Sequence, residues 1–303
     1  ASTAVSMSVT NLVSEVIQSI GSDEQKSKYI SRLCDGTYPA GSFCLSEAGA
    51  GSDPSSVQTK AVKDGDEWIL NGTKMWISSA EFAGLFVVWA VTDPKAPKGK
   101  GITCFLVERE TPGLSVGPSE KKLGQRASPT NPVIFEDCRV PASAILGELN
   151  DGFRIAVAEL TGGRIGIGSL ALGVASAAMD YARQYVTERE QFDTKISDFQ
   201  GIQWMLADTY TELEAARLLL MNAAYLKENN LPFAKQASMA KLYATEAANR
   251  ACYTAIQLMG GVGYTEEVPL ERYARDVRVT SIYEGTSEIQ RVIIARELLK
   301  EIA

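Results

Sequence analysis

Three patterns of hydrophobic and polar positions follow one another along the 303-residue chain. Up to about residue 36, apolar side chains recur at intervals of three and four, which predicts helix. Gly21 has the composition of a helix stop, and Ser22 that of a new N-cap. We therefore expect one helix to end near Ile20 and a second, short helix to run through Leu33.

Short apolar runs of strand length replace the helical pattern between about residues 40 and 145. Turn signals separate these runs: one at Lys63 to Asp66 precedes the run that begins at Trp68, and the strand pattern continues past Asn71-Gly72 to Ile77. No helical period intervenes. The segment is therefore predicted to form a small β-barrel or sandwich.

From Gly152 onward the helical period returns and continues to the end of the chain. Four long amphipathic helices joined by short links predict an antiparallel four-helix bundle. The expected helices run over about 152–188, from a cap at Ser197-Asp198, from Pro232 to Gly260, and over about 286–302. The predicted fold class is α+β, with N-terminal helices in 1–38, a β-domain in 39–146 and the bundle in 147–303.

Composition excludes several classes of function. Hydrophobic residues make up 45% of the chain and the net charge is −7, so neither a nucleic-acid surface nor an anionic membrane is an expected partner. The longest uncharged stretch, Ile165 to Met179, is too short to span a membrane, and Ala1 to Thr10 lacks the pattern of a signal peptide.

The five cysteines (Cys34, Cys44, Cys104, Cys138 and Cys252) are odd in number and contain no CxxC motif. Buried free thiols are expected, with no disulfide framework and no metal site.

The chain contains no histidine, so histidine-based acid–base or nucleophilic chemistry is excluded. The best candidate for a general base is Glu284, which lies beside Gly285 and Thr286 just ahead of a helical stretch. Burial can raise the pKa of a carboxyl group to ~6–7, where it accepts protons efficiently near neutral pH. The alternative is a solvated charge or cap at a helix start.

Two motifs in the β-region have both a binding and a structural interpretation. Phe43 to Asp53 is a glycine-rich turn beside a strand, whose backbone N–H groups could hold phosphate or flavin oxygens, or which could be a plain turn. It is not a dinucleotide fingerprint, because the third glycine is missing and a strand pattern follows. Trp76 could lie beside a flat ring with Ser78 bonded to a ring heteroatom, or Trp76 could be a core residue.

Two further motifs occur in the helical region. Arg189 could pair with a phosphate group and Phe192 could stack on a base near Gln200, or they could be a surface arginine and a core phenylalanine. The segment from Gln257 to Tyr264 contains a helix end with three clustered glycines, although a simple C-cap needs only one.

Taken together and in this order, these motifs resemble the acyl-CoA dehydrogenase family. The resemblance covers essentially the whole chain and rests on SEAGAGSD, KMWIS, GRIGIG at Gly163–Gly168, the Arg189/Phe192/Gln200 set, QLMGGVGY and IYEGTSEIQ. It implies a β-domain between helical domains, non-covalent FAD between the β-domain and the bundle, and a homotetramer or dimer in which the glycine run reaches the FAD of a neighbouring subunit.

The resemblance also implies roles for individual residues. Ser52, Thr161, Arg164 and Gly285 would contact the acyl-CoA. Glu284 would remove the α-proton while the β-hydrogen leaves as hydride to flavin N5, giving the trans-2-enoyl-CoA. The residues implied to bind FAD are Phe43, Leu45, Ser46, Gly51, Ser52, Trp76, Ile77, Ser78, Arg189, Phe192, Gln200, Gln257, Gly260, Gly261, Thr286 and Glu288.

Two departures from the family pattern stand out. Many members carry an acidic residue three positions before the substrate-side arginine, where this chain has Thr161. Members also have further N-terminal helices ahead of the segment that matches Ala1 to Ile20. Two alternatives therefore stay open: a flavoprotein of the same fold with oxidase or other activity, or a truncated flavin-binding or assembly protein without turnover.

The resemblance is strongest to short-chain and short-branched-chain members, through Met7 to Asn11 and Gly163 to Ile167. It implies a short acyl substrate and electron-transfer flavoprotein as the electron acceptor. The implied compartment is the cytoplasm in a bacterium or the mitochondrial matrix in a eukaryote. A DNA-associated relative is disfavoured, because the isoelectric point is near 5.0.

Overall fold

The computed structural model describes residues 1–302 and contains two compact units. The first unit holds residues 2–122 and 126–160, and the second holds residue 1, residues 123–125 and the chain from Thr161 onward. The sequence-based division into three domains, with boundaries after residues 38 and 146, stays a prediction.

The helices and strands follow the order expected from the sequence. The helices are α1 (Ser2–Ile20), α2 (Asp23–Gln25), α3 (Ser31–Cys34), α4 (Gly152–Glu188), α5 (Gln200–Glu228), α6 (Ala234–Met259), α7 (Leu270–Val277) and α8 (Ser287–Lys300), with a π-helical turn at Lys26–Ile30. The strands are β1 (Gly41–Cys44), β2 (Lys60–Asp64), β3 (Glu67–Ser78), β4 (Leu85–Val91), β5 (Ile102–Glu108), β6 (Leu114–Val116), β7 (Thr130–Pro141), β8 (Glu190–Gln191) and β9 (Thr194–Lys195).

The first unit is built on one curled seven-stranded sheet in the order β1-β4-β2-β3-β7-β6, with β5 paired to β4. Strand β4 is apolar on both sides because both sides are covered. Phe86, Val88 and Ala90 belong to the core inside the curl, whereas the intervening Val87 and Trp89 pack in a second core with α1 and the start of α4. The Trp89 indole N–H donates to the Gly152 carbonyl at 2.7 Å, which ties this second core to the first residue of α4.

The turn predicted at Lys63 to Asp66 connects β2 to β3, and the strand pattern continues past Asn71-Gly72 as expected. Strand β3 continues through these residues, and the ladder to β7 shifts register between Leu70 and Gly72. A Cβ on Gly72, which has a φ of 151°, would lie 2.6 Å from the Thr59 hydroxyl oxygen. The glycine therefore marks a bulge and a close approach within the sheet, a context in which a strand needs glycine.

The second unit is the predicted antiparallel helical bundle, and the α+β fold class is confirmed. Alanines on α6 pack against α4, α5 and α7, and every one from Ala237 to Ala255 is buried. Gly168 of α4 lies so close to α5 that a Cβ there would come within 2.6 Å of Leu220. By length and composition α4 is the one described helix that could cross a membrane, but its apolar side chains from Ala171 to Val186 belong to the bundle core and Ile155 and Ala156 to a core of the first unit.

Several local predictions about the helices need correction. The Ser22 cap is confirmed, since its hydroxyl accepts from the Gln25 N–H and a capping box is complete. Helix α5, by contrast, begins after Phe199 rather than at Ser197-Asp198, which form a 3₁₀ turn. The short helix α7 was not predicted. It occupies Leu270–Val277, between the third and fourth helices that the sequence predicted.

The thiol prediction holds for four of the five cysteines. Cys44, Cys104, Cys138 and Cys252 are buried and free, whereas Cys34 is exposed. No cluster of three or more metal-ligating side chains occurs among residues 1–302.

A buried ion pair fixes the glycine-rich turn of the first unit. The Lys74 ammonium group lies 2.7 Å from Glu47 Oε1 and 3.2 Å from the Leu45 carbonyl oxygen, and its side chain is fully buried. Glu47 also accepts hydrogen bonds from the N–H groups of Gln58 and Thr59. Burial alone would raise the pKa of Glu47, but Lys74 and these donors hold it below its ordinary value. The turn is thus held by charges inside the protein.

Replacing Lys74 by Met should lower the free energy of unfolding by ~3–5 kcal/mol, because Glu47 would be left as an unpaired buried charge. Lys63→Met, on the exposed face of β2, is the matched control and should change stability by less than ~0.5 kcal/mol. Urea denaturation of both variants measures the difference. Equal stability of the two variants would contradict the structural importance of the pair.

Candidate active site

The residue singled out by sequence, Glu284, lies in a tight turn between a 3₁₀ helix (Arg278–Ser281) and α8. Its φ is 52°, and that of Gly285 is 91°, so two consecutive residues have left-handed backbone conformations. Such a conformation is disfavoured for a non-glycine residue and is typically maintained by surrounding contacts. Thr286 caps α8, since its hydroxyl accepts from the Ile289 N–H. Glu284 is therefore not the cap of that helix.

The carbonyl groups of the turn are all held from inside the bundle. Lys241 Nζ, on α6, donates to the carbonyl oxygens of Tyr283 at 3.0 Å and Gly285 at 2.6 Å. Gln290 Nε2, on α8, donates to the carbonyl of Gly285 at 2.9 Å and more weakly to that of Glu284 at 3.3 Å. Both donors are completely buried. The backbone of the turn is thus fixed by two side chains from two helices.

The Glu284 carboxyl group has the properties of a general base. Its Oε2 atom is inaccessible to solvent and has no hydrogen-bond partner. Burial raises the pKa of Glu284 to about 7, against the opposing attraction of Lys241 and Arg164. The whole residue still keeps some exposed surface, so the carboxyl group is buried without the turn being enclosed.

Space for this carboxyl group comes from helix α4. A Cβ on Gly163 would collide with Glu284 Oε2 and lie 3.2 Å from its Cδ. The next residue, Arg164, is buried, and burial lowers its pKa to about 10. Its guanidinium lies 3.4 Å from the hydroxyl groups of Thr161 and Ser238, and its Nε atom has no partner. Two unsatisfied buried groups of opposite charge, Arg164 Nε and Glu284 Oε2, thus occur in one site, and such groups call for a ligand or a functional explanation.

Gln125 contacts Tyr283, the residue that precedes Glu284. Gln125 N–H donates to Asp276 Oδ1 at 2.5 Å, and Gln125 Nε2 donates to the Tyr283 hydroxyl at 3.3 Å. Gln125 itself has a positive φ of 48°. Burial raises the pKa of Tyr283, which therefore stays a neutral phenol.

The predicted FAD residues of α8, Thr286 and Glu288, line a cavity of about 620 Å³ in the second unit. Its wall also includes Asn249 and Arg250 of α6 and Arg278. The Oδ1 atom of Asn249 is buried and has no partner. A polar cavity with an unsatisfied acceptor fits a ligand rich in hydroxyl and N–H groups.

The other predicted FAD residues of the second unit are exposed. Arg189 and Gln200 flank the β8–β9 hairpin, and Phe192 at its tip is 90% exposed with a positive φ. The alternative interpretation of Phe192 as a core residue is therefore wrong. Gln257, Gly260 and Gly261 lie at the exposed end of α6, where an added Cβ on either glycine would meet nothing within 4 Å.

In the first unit, the predicted FAD residues divide into exposed and buried side chains. Trp76 is 60% exposed with a φ of 64°, so the interpretation of this residue as core is wrong as well. Ile77 and Leu45 are buried in the two cores, which leaves only their backbone groups for a ligand.

The backbone carbonyls of two predicted FAD residues already accept hydrogen bonds. The Ser46 carbonyl accepts from the Met75 N–H, and the Ser78 carbonyl accepts from the Ser42 hydroxyl. Phe43 stacks against Trp89 with ring centroids 4.3 Å apart, and Gly51 and Ser52 are exposed.

Comparison with known proteins agrees with this geometry. Residues 42–138 match the family model of the acyl-CoA dehydrogenase middle domain, and residues 150–299 match that of the C-terminal domain. The short-chain specific acyl-CoA dehydrogenase of Rattus norvegicus mitochondria is 50% identical over 99% of this chain and 73% of its own length.

Solved structures give the same result. The butyryl-CoA dehydrogenase of Megasphaera elsdenii is 41% identical with a TM-score of 0.95, covering 97% of this chain and 77% of its own. A chain in a structure of the electron transferring flavoprotein of Acidaminococcus fermentans is 43% identical with a TM-score of 0.95, over the same shares.

A curled sheet followed by a helical bundle is the fold that this chain shares with these relatives, which are flavoprotein oxidoreductases that act on CH–CH bonds. The chain belongs to the acyl-CoA dehydrogenase family.

Sequence reasoning missed three features of the site. Lys241 gave no signal, because a single lysine in an alanine-rich helix has the pattern of a solvated residue. Asn249 is one helical polar residue among many. The motif containing Gly163 was recognised, but its function as space for a carboxyl group depends on a long-range contact.

Gly163→Ala should leave the protein folded and lower its activity. Alanine stabilises a helix by ~1 kcal/mol relative to glycine, but its methyl group would displace the Glu284 carboxyl group. A displacement of this kind can cost ~10²-fold in rate. Anaerobic reduction of the flavin by butyryl-CoA and the melting temperature, measured on the same variant, test both effects.

Gly173→Ala is the matched control, because Gly173 lies in the same helix with open space around it. This variant should gain stability and keep its activity. If Gly163→Ala reduced the flavin at the wild-type rate, Gly163 would not be needed to accommodate the base.

Proposed function

We propose that the protein catalyses the FAD-dependent α,β-dehydrogenation of a short-chain acyl-CoA thioester to the trans-2-enoyl-CoA, with Glu284 as the base. The observation that carries this proposal is the Glu284 carboxyl group, whose Oε2 atom is buried and unpartnered and whose pKa burial raises to about 7. A base with this pKa is ionised in part at neutral pH and still binds a proton strongly, which is the best compromise for proton abstraction.

The charges around Glu284 suit removal of a proton α to a thioester carbonyl. Lys241 and Arg164 are both buried cations, whereas Glu284 is the anion that faces them. When Glu284 accepts the α-proton, its own negative charge is lost and negative charge develops on the substrate. The two cations favour that charge in surroundings where water screens little. Bound FAD would supply the acceptor for the β-hydride.

The residues present fit a flavin cofactor. The cavity lined by Thr286, Glu288 and Asn249 offers hydroxyl, carboxylate and amide groups. Trp76 and Phe192 are aromatic side chains exposed to solvent, which a flat ring system would cover. Arg189 is an exposed arginine that can pair with phosphate through two parallel hydrogen bonds. The complete set of FAD residues is that implied by the family resemblance.

The partners follow from the same proposal. Reduced enzyme must pass two electrons onward, and electron-transfer flavoprotein is the proposed acceptor, as the family resemblance implies. A homotetramer or dimer is proposed because Arg189, Phe192, Gln257 and Gly261 would serve a flavin shared between subunits. The proposed compartment is the mitochondrial matrix in a eukaryote, as for the rat relative, or the cytoplasm in a bacterium.

Glu284→Gln should abolish substrate oxidation while binding survives. Glutamine has nearly the same shape and keeps the backbone of the turn, but it cannot accept the α-proton. Anaerobic flavin reduction by butyryl-CoA should fall by at least ~10²-fold. In the wild-type protein the reduction rate should rise with pH through about 7, since Glu284 must be ionised to act.

The same variant gives a test that needs no turnover. A carboxyl group whose pKa is raised by folding stabilises the protein at low pH, and this contribution is lost as pH rises through the folded pKa. Glu284→Gln should therefore gain stability over wild type at pH 8 but not at pH 4.5. Unchanged reduction rates in the variant would end the assignment of Glu284 as the base.

The acyl chain is predicted to be short, linear or lightly branched. A series of acyl-CoA substrates from four to sixteen carbons, assayed by anaerobic flavin bleaching, should give the highest kcat/KM at about four to six carbons. A maximum at twelve carbons or more would contradict this specificity while leaving the reaction type intact.

Arg189→Ala should weaken FAD binding by roughly ten- to a hundredfold, because a charge-assisted phosphate contact is worth ~1.5–3 kcal/mol. Arg183→Ala is a suitable control, since Arg183 is an exposed arginine one and a half turns earlier whose partner is Asp180. Equilibrium dialysis gives the affinity, and sedimentation gives the oligomeric state. A monomer that holds FAD as tightly as the oligomer would contradict the shared-flavin assignment.

A further inference from the structure

Lys241 is the one completely buried lysine of the described second unit, and no role for it follows from the family motifs. It lies in the first half of α6, where this helix comes close to α4: a Cβ on Gly168 would lie 3.6 Å from Lys241 Cα. Burying an ammonium group is costly unless it is hydrogen-bonded and paired with a negative charge. Its presence in an alanine-rich core therefore needs a reason.

The hydrogen bonds of Lys241 suggest that reason. Its two acceptors are the carbonyl oxygens of Tyr283 and Gly285, the residues on either side of Glu284. One ammonium group thus fixes the peptide unit before Glu284 and the peptide unit that follows Gly285. Because Glu284 and Gly285 both have positive φ, the turn is conformationally disfavoured and depends on such contacts.

We propose that Lys241 is a positioning residue for the base: by binding the carbonyl oxygens of Tyr283 and Gly285, the residues on either side of Glu284, it directs the carboxylate toward the space beside Gly163 and supports its negative charge. The inference rests on the proposed function, because it assigns a role within the same site. Gln290 shares the Gly285 carbonyl and contacts that of Glu284, but it is neutral. Lys241 is therefore the residue that both binds the backbone of the turn and carries a positive charge beside Glu284.

The charged groups around this pair determine the direction of the effect. Lys241 faces Glu284, Glu246 and Glu288, which favour its charged form, and Arg164, which opposes it. The cations that act on Glu284 are Lys241 and Arg164, and the neutral Tyr283 phenol is its neighbour in the chain. Burial lowers the pKa of Lys241 to about 8, so the ammonium group is charged at the pH where Glu284 ionises. Removing its charge leaves Arg164 as the single cation beside the base, and the carboxylate form of Glu284 becomes less favourable.

Lys241→Met tests the proposal, because methionine fills a similar volume without charge or donors. The pKa of Glu284 should rise by ~1–3 pH units, the size expected for loss of a neighbouring opposite charge. Infrared difference spectra of the protonated carboxyl group, assigned with Glu284→Gln, measure this pKa without any turnover. The pH at which flavin reduction reaches half its maximum should rise by the same amount, and the maximal rate should fall by at least tenfold.

Three further variants separate the possible roles. Lys241→Arg keeps the charge and should keep the Glu284 pKa within ~0.5 unit, since arginine stays protonated. Lys241→Gln keeps one donor but not the charge, and it should show the pKa shift even if Lys241→Met does not fold. Lys235→Met is the control on the same helix, where the lysine pairs with Glu301, and it should leave the Glu284 pKa unchanged.

The outcomes distinguish this inference from the proposed function. If butyryl-CoA reduces the flavin and both uncharged variants keep the wild-type Glu284 pKa, the function stands and the role of Lys241 is refuted. If the pKa shifts as expected but no acyl-CoA reduces the wild-type flavin, Lys241 supports Glu284 and the proposed reaction is wrong.

Discussion

The Lys241 ammonium group, buried in a core of alanines, has its hydrogen bonds directed to one turn of backbone. A charge in that position is stable only if acceptors surround it, and the carbonyls of Tyr283 and Gly285 are those acceptors. The same hydrogen bonds stabilise the turn, in which two consecutive residues, Glu284 and Gly285, have left-handed backbone conformations. Neither the buried lysine nor the disfavoured turn would be favourable alone. Their mutual dependence places a carboxyl group where burial raises its pKa to about 7.

In the first unit, too, a buried lysine fixes a segment of backbone, here the glycine-rich turn. Lys74 is buried beside Glu47, and together with the N–H groups of Gln58 and Thr59 they satisfy the charges that shape the glycine-rich turn. Both segments lie outside regular secondary structure for much of their length. A loop with few apolar contacts has little hydrophobic stabilisation, so in each unit a buried lysine that donates to backbone carbonyls fixes the segment from inside the protein.

Sequence periodicity predicted the long elements well and the local exceptions poorly. The bounds of α4 and the end of α6 at Gly260 agree with expectation, because helical period and glycine are local signals. The register shift at Asn71-Gly72 was not predicted, since it depends on pairing with β7 and on the close approach of Thr59. Trp76 and Phe192 have aromatic side chains whose composition favours burial, yet positive φ turns both outward. Glu284 was found from its motif, whereas Lys241 and Gly163 act through contacts between helices that no local pattern encodes.

Thr286 takes part both in the cap of α8 and in the lining of the cavity. Its hydroxyl group accepts a hydrogen bond from the Ile289 N–H at the start of α8, and Thr286 is one of the residues that line the cavity of about 620 Å³. A threonine hydroxyl has one proton to donate and two lone pairs, so it can serve the helix and a ligand in the cavity at the same time. The first turn of α8 is thereby coupled to the contents of the cavity. Amide hydrogen exchange at Ile289 would report whether the cavity is filled, even though that amide belongs to a helix and not to the cavity wall.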